Sequence, residues 1–376
     1  MKMSDSDRLP VAVIGLGSFG QRTLHALQAS KLVKVVGLAD RDPGVVEPVA
    51  GGLGLTAYTD TRSMLAQTKP RAVFISTPPI ANVELIATCA QRGIHVCKDA
   101  PLARNLAEGD AMVRRMDEAG LKFVIGTQRR FMGSYRRAWE FRRAIGHTFL
   151  AHTHYLFNWG PVVGWRGDMV SAGGGALLEL GYHFIDLLVW MLSLPEEVYG
   201  MSVTGAQRHG GPVDLLQQPA NTTDDTAVAV LRLSQGGTGA VVVSRASGPV
   251  SEQLCLHGLA GSLVADSQIC LHRDPDGRIL EESNLMAGPL DCFREQVDAF
   301  ATAVLDDAQT YECSARENLL NMAVIESIYL SAKTSQGESP GEILKTCGRT
   351  VEECLAHCPL PVIPDEPLPT DAQALE

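Results

Sequence analysis

Apolar and polar positions along the chain follow two regimes. Over the first 125 or so residues, short apolar runs alternate with stretches of helical period. The apolar runs lie at 10–16, 33–39, 71–76, 95–98 and 122–126, and helix spacing fills 19–30, 62–67, 83–92 and 106–119. Near-continuous apolar strands are covered on both faces, so this half predicts a doubly wound parallel sheet, the Rossmann form of an α/β fold.

Past about residue 150 the rhythm changes. Strand patterns at 148–157, 198–204, 226–233, 238–244, 252–257, 262–266 and 269–272 follow one another through glycine-containing turns, with one long apolar helix at 175–194. This predicts a C-terminal α+β domain with a large open, mainly antiparallel sheet. Helical period returns at 289–304, which is expected to pack back on the first domain, and at 315–333. From Ser335 the chain reads as irregular and Pro-rich. The expected division is 1–128, 129–345 and a C-terminal tail at 346–376.

The 376 residues carry a formal net charge of −11 and no basic block, which argues against a nucleic-acid partner. Arg136, Arg137, Arg142 and Arg143 read as a solvated helix face. The N-terminus lacks the apolar core of a signal peptide, and the apolar stretch at 184–194 is too short to span a bilayer, so neither export nor a membrane is expected. Nine cysteines without repeated spacing suit a reducing, cytoplasmic setting. Cys347, Cys354 and Cys358 lack the spacing of a zinc site, and no metal is expected.

Two features point to chemistry. The first is Gly15-Leu-Gly17-Ser18-Phe19-Gly20, set between a strand and a helix. Such a turn lets the backbone and the helix N-terminus approach a pyrophosphate. Asp40 ends the next strand, 25 residues after Gly15, where a carboxylate accepts both ribose hydroxyls and favours NAD. Arg41 beside it could hold a 2′-phosphate, which leaves NADP open. Ser76, Thr77 and Pro78 end the third strand at the same sheet edge.

The second feature is a polar stripe on the buried helix: Glu179, His183 and Asp186 at i, i+4 and i+7. A carboxylate beside an imidazole raises its pKa and fixes its tautomer, which suits a general acid/base. A satisfied structural triad, with Asp186 orienting His183, is the other reading of the same stripe. His152 and His154 read as sheet surface.

These pieces resemble the glucose–fructose oxidoreductase/inositol dehydrogenase/MocA family over nearly the whole chain. The resemblance rests on the glycine turn, Ile75-Ser-Thr-Pro78, Gly93 to Ala103, Gln128-Arg-Arg130-Phe131, Trp165-Arg166, Gly173 to Asp186 and Glu317 to Ser331. It implies a Rossmann domain and homodimers or homotetramers formed through the open sheet. It further implies NAD(P)-linked hydride transfer on a sugar, polyol or related carbinol. Asp99, Pro101 and Gln128 would then join the cofactor site, and Arg130, Trp165, Arg166 and Asp186 the substrate site, around His183 and Glu179.

The family's strand-end Glu-Lys-Pro becomes Asp99-Ala100-Pro101 here, so the motif lysine is missing. Lys98 lies two residues earlier, on the same face of an extended strand and about 6–7 Å away. It is the candidate replacement as polar partner of the reacting hydroxyl. Glu179 stands where aspartate is usual. The missing lysine keeps two alternatives open: a redox-neutral enzyme that retains NAD, and a non-catalytic NAD-binding sensor or subunit.

Overall fold

The structure, a computed structural model, describes residues 7–205, 221–285, 288 and 290–356. The first sheet holds β1 (Leu9–Ile14), β2 (Val33–Ala39), β3 (Ala57–Tyr58), β4 (Ala72–Ile75), β5 (His95–Asp99) and β6 (Phe123–Gly126), all parallel. Its order, β3-β2-β1-β4-β5-β6, is the Rossmann order. Five of these strands fall on the expected apolar runs. β3 is two residues long and helix Pro43–Gly52 has a proline inside it, so neither carries a readable period.

The second sheet holds eight strands: β7 (Thr148–Asn158), β8 (Glu197–Val203), β9 (Thr226–Leu233), β10 (Gly237–Ser244), β11 (Ala246–Gly258), β12 (Gly261–Ala265), β13 (Ile269–Arg273) and β14 (Ile279–Asn284). All neighbours are antiparallel except the central pair β7 and β10. β14, with the polar sequence ILEESN at the sheet edge, was not anticipated from the pattern. The inner face packs on helices Tyr182–Leu192 and Asn318–Thr334, which are buried almost all round.

Helix Asp291–Leu305 does pack back on the first sheet, with Phe300 edge-on to Phe74 of β4. The stretch after Ser335 is not irregular at first. Ser339 and Thr350 cap helices Pro340–Thr346 and Val351–Leu355, which bury Leu344 and Cys354. The rest of the expected tail, 357–376 with Cys358, lies outside the described residues. The stretch Met169–Leu192 is apolar and long enough to cross a membrane by length and composition, contrary to the shorter reading, yet 89% of its most apolar window is buried inside the protein. It is a core segment. Arg142 is likewise not solvated: it is buried over the Trp139 ring, while Arg136 and Arg137 pair with Glu312 and Glu281.

Candidate active site

The strand order reverses between β1 and β4, and a cleft of about 1150 Å³ opens there, at the carboxyl ends of the strands. Its floor is the glycine turn. Gly15 has φ +88°, and a Cβ on it would sit 2.4 Å from the Ser76 carbonyl oxygen. A Cβ on Gly17 would meet nothing within 4 Å, so this position faces open space. Helix Ser18–Ala29 starts there without a side-chain cap, which leaves its first N–H groups without a side-chain acceptor. Asp40 is fixed at its rim, accepting from the Leu16 N–H at 2.7 Å and the Asp42 N–H at 3.0 Å. Each carboxylate oxygen retains a lone pair. An open glycine cradle, an uncapped helix start and a held carboxylate fit a dinucleotide: pyrophosphate at the helix, ribose at Asp40.

Ser18, Phe19, Arg41, Ser76, Thr77, Pro78, Lys98, Asp99, Pro101 and Gln128 line the same cleft, as do Trp165, Arg166, Glu179 and His183 on its far wall. Gly20 lies beneath rather than in it, where a Cβ would be 1.9 Å from the Gly15 carbonyl oxygen.

The far wall depends on a break in the apolar helix. The expected single helix is one π-helical turn, Leu177–Gly181, followed by α-helix Tyr182–Leu192. Gly175 allows the approach of a distant loop, since a Cβ there would be 2.0 Å from the Asp224 carbonyl oxygen. The Asp224 carboxylate then caps the start, accepting from the N–H groups of Gly175 (2.7 Å) and Leu177 (2.8 Å). The wider π turn changes the side-chain spacing, so the polar stripe does not act as one unit.

Its three members have separate partners. Glu179 accepts from Arg166 Nε at 2.7 Å, and that guanidinium lies over the rings of Trp165 and Trp159. Asp186 binds Arg130 at two points and Asn321 at a third, and Arg130 also holds Glu317. This corrects the expectation for Arg130 and Asp186: both are fully buried and neither lines the cleft. Burial alone would discharge Arg130, but the two carboxylates hold its pKa well above the ordinary value. The network ties the His183 helix to helix Asn318–Thr334 and to Gln128–Phe131.

His183 is thus left without a carboxylate. It is 8% exposed, lines the cleft, and its Nδ1 has no hydrogen-bond partner among the described residues. Its pKa is not raised, as a paired imidazole's would be, but driven well below the ordinary value by burial and then by the Arg129 cation. It is a neutral imidazole near pH 7.

Lys98 is buried on β5 and lines the cleft. Its ammonium donates to the carbonyls of Asp99 (2.7 Å) and Pro101, which leaves one N–H. Burial lowers its pKa to about 8 and raises that of Asp99 to about 6.

Sequence reasoning missed Arg129, Tyr155, Phe157, Trp159 and Phe293, which also line the cleft. The alternation along β7 puts Tyr155 and Phe157 on the inward face with Thr153, a period-2 signal present in the sequence. Arg129 and Phe293 reach the cleft by tertiary packing and carry no such signal. His152 and His154 do lie on the outer sheet face, His152 stacked on His257 and His154 bonded to Ser251.

Residues 9–127 match the oxidoreductase family with an NAD-binding Rossmann fold, and residues 134–264 match the GFO/IDH/MocA C-terminal domain. The chain is 26% identical over 335 residues to D-xylose 1-dehydrogenase (NADP(+)) 2 of Haloferax volcanii, covering 86% of this chain and 97% of that one. It is 26% identical over 267 residues to myo-inositol 2-dehydrogenase of Thermotoga maritima, covering 68% and 75%. Among solved structures, levoglucosan dehydrogenase in complex with NADH superposes with a TM-score of 0.80 at 20% identity, covering 88% of this chain and 99% of that one. An oxidoreductase domain protein from Kribbella flavida does so with 0.80 at 23%, covering 89% and 99%. Fold, cleft and both matched segments agree: the chain belongs to the Gfo/Idh/MocA family of oxidoreductases, with an NAD-binding Rossmann domain and the family's C-terminal sheet domain.

Proposed function

We propose that the protein is an NAD(P)-dependent dehydrogenase or reductase acting on a carbinol or ketone of a sugar or polyol. One observation carries this reading: His183 and the glycine turn line one continuous cleft. Gly15, Gly17, Ser18 and Phe19 would hold the pyrophosphate and Asp40 the adenosine ribose, with Arg41 available to a 2′-phosphate. Ser76, Thr77, Pro78, Asp99, Pro101 and Gln128 would enclose the nicotinamide end. The bound nicotinamide supplies a hydride acceptor or donor.

The chain's residues do the rest. Neutral His183 takes the hydroxyl proton at Nε2 during oxidation and returns it during reduction. Lys98, steadied by two carbonyls, offers its remaining N–H to the same oxygen in place of the motif lysine. Glu179 and Arg166, with the Trp159 and Trp165 rings, orient the substrate's other hydroxyls and its apolar face. The assay is absorbance at 340 nm with NAD+ or NADP+ over a panel of sugars and polyols. Turnover with one of them that disappears in His183→Ala supports the reading, and turnover that survives in His183→Ala overturns it.

Ala100 favours a second reading. Without the motif amine the protein either retains NAD through a redox-neutral cycle or binds NAD without turnover. Cofactor that copurifies, with no net absorbance change at 340 nm, would favour it.

Two further features belong to this proposal. The outer face of the large sheet carries exposed Tyr199, Met201 and Val203 on β8 beside Val228 and Val230 on β9, and Met201 pairs in register with Val228. An apolar patch of this kind is rare on a monomer and suits a second copy of the chain, giving a homodimer or homotetramer. The eight described cysteines are all free, which supports a cytoplasmic setting.

A further inference from the structure

Two segments from opposite walls of the cleft meet beside it, and one side chain joins them. Residues 164–173 carry Trp165 and Arg166 into the far wall. They end in a single helical turn, Met169–Ala172, capped by Asp168 and closed by Gly173 at φ +83°. The C-terminal domain holds this loop through residues 222 and 223. The Thr222 N–H donates to the Gly167 carbonyl at 2.9 Å, the Thr222 hydroxyl accepts from the Met169 N–H at 2.9 Å, and the Thr223 hydroxyl donates to the Arg166 carbonyl at 2.8 Å.

The tie to the dinucleotide domain is Arg104, three residues after Pro101. Its Nη1 donates to the Val170 carbonyl at 2.6 Å. Glu108, in the first turn of helix Leu106–Glu118, accepts from Nε at 3.0 Å and from Nη2, which fixes the direction of the guanidinium. The backbones meet at the same place: a Cβ on Gly173 would be 2.5 Å from Arg104 Cα. The helical turn also lies beside Pro79–Ala81, which follows β4. A few residues of chain thus separate the expected nicotinamide end, Asp99 to Pro101, from a bond onto the loop that bears Trp165 and Arg166.

We propose that Arg104 is a positioning residue: through the Val170 carbonyl it sets the loop 164–173 against the cofactor-side strand end 99–101, so that Trp165 and Arg166 keep their spacing from the nicotinamide. This deepens the dehydrogenase reading and rests on it for the roles of Trp165 and Arg166. The Arg104–Glu108 pair, partly exposed and within one segment, contributes little by itself. The bond to Val170 is charge-assisted and crosses from one domain to the other. It makes the two sides of the cleft dependent on each other: a cofactor that orders 99–101 also slows the opening of 164–173.

Hydrogen–deuterium exchange of the full chain, read by mass spectrometry with and without NADH, tests this without a substrate. The amides of Asp168, Met169, Ser171, Ala172 and Gly173 are all hydrogen-bonded, so their exchange reports the opening of the loop. In the wild type NADH should slow exchange across 164–173. In Arg104→Gln/Glu108→Gln, which removes the cation without stranding its carboxylate, exchange there should be about tenfold faster or more, and NADH should no longer slow it. NADH affinity and exchange in β1 and β4 should stay native. Glu108→Gln alone should keep the wild-type pattern, and Arg104→Lys, which can still donate to the carbonyl, should restore part of the protection. Native exchange of 164–173 in the double variant, or NADH protection that persists there, overturns the proposal. So does faster exchange spread evenly over the chain, the mark of a merely structural arginine. Turnover that survives in His183→Ala would refute the acid/base reading and leave this exchange pattern untouched, so the two failures are distinguishable.

Discussion

The Asp186 carboxylate closes a two-point ion pair on Arg130, Oδ2 to Nε at 2.8 Å and Oδ1 to Nη2 at 2.6 Å, with neither side chain touching solvent. That pair anchors the helix carrying His183, and it stands behind the cleft rather than in it. Breaking it leaves an uncompensated buried charge. Arg130→Met should therefore cost about 3–5 kcal/mol in denaturant unfolding, while the protein that remains folded binds NADH with near-native affinity. A native unfolding midpoint would contradict this account of the network.

Replacing His183 by Ala should lower the rate of hydride transfer by about 10²–10⁴ and leave cofactor affinity nearly unchanged, since the glycine turn and Asp40 are untouched. Stopped-flow absorbance for the rate and fluorescence titration with NADH for affinity separate the two effects. Equal losses in both would point instead to a collapsed cleft.

Lys98 gives a pH signature. Its folded pKa is lowered from the ordinary 10.5 to about 8 by burial, so between these values the unfolded chain binds more protons than the folded one. Its contribution makes the folded state gain stability as pH rises from about 8 toward 10.5. Lys98→Met should flatten that part of the stability profile measured by urea unfolding. His183 has the same sign in a lower window: the contribution is intact above 6.5 and lost as pH falls toward its depressed folded value.

Asp40 should set cofactor choice. Asp40→Ser removes a carboxylate that repels a 2′-phosphate and leaves Arg41 at the rim, so the ratio of kcat/KM for NADP+ to that for NAD+ should rise by about tenfold or more. An unchanged ratio would place the adenosine ribose elsewhere.

Much of this was legible in residue order because it is written in local pattern. Five parallel strands announced themselves as apolar runs, and the turn at Gly15 and the acid at Asp40 follow from their positions at strand ends. What was not legible depends on contacts distant in sequence. Asp186 looked like a partner for His183 because both lie on one face of a regular helix. The π turn and the arrival of Arg130, 56 residues earlier, redirected it. Arg129 sits inside a motif whose pattern does not say where its side chain goes, and it reaches the cleft because β7, β11 and the His183 helix meet around it.

The sheet face offers an independent test. Met201→Glu with Val230→Glu should convert the proposed assembly to monomers in light scattering, without loss of NADH binding, because the cleft lies on the other side of the sheet. Native assembly in the double variant would remove this face as the interface.

The most direct measurement is a crystal structure of the wild-type protein with NAD+ bound. The expected result is pyrophosphate at Gly17 and Ser18, ribose on Asp40, and nicotinamide C4 facing His183 Nε2 across a gap wide enough for one substrate carbinol. A nicotinamide turned away from His183, or an imidazole sealed off from it by packed side chains, would contradict it.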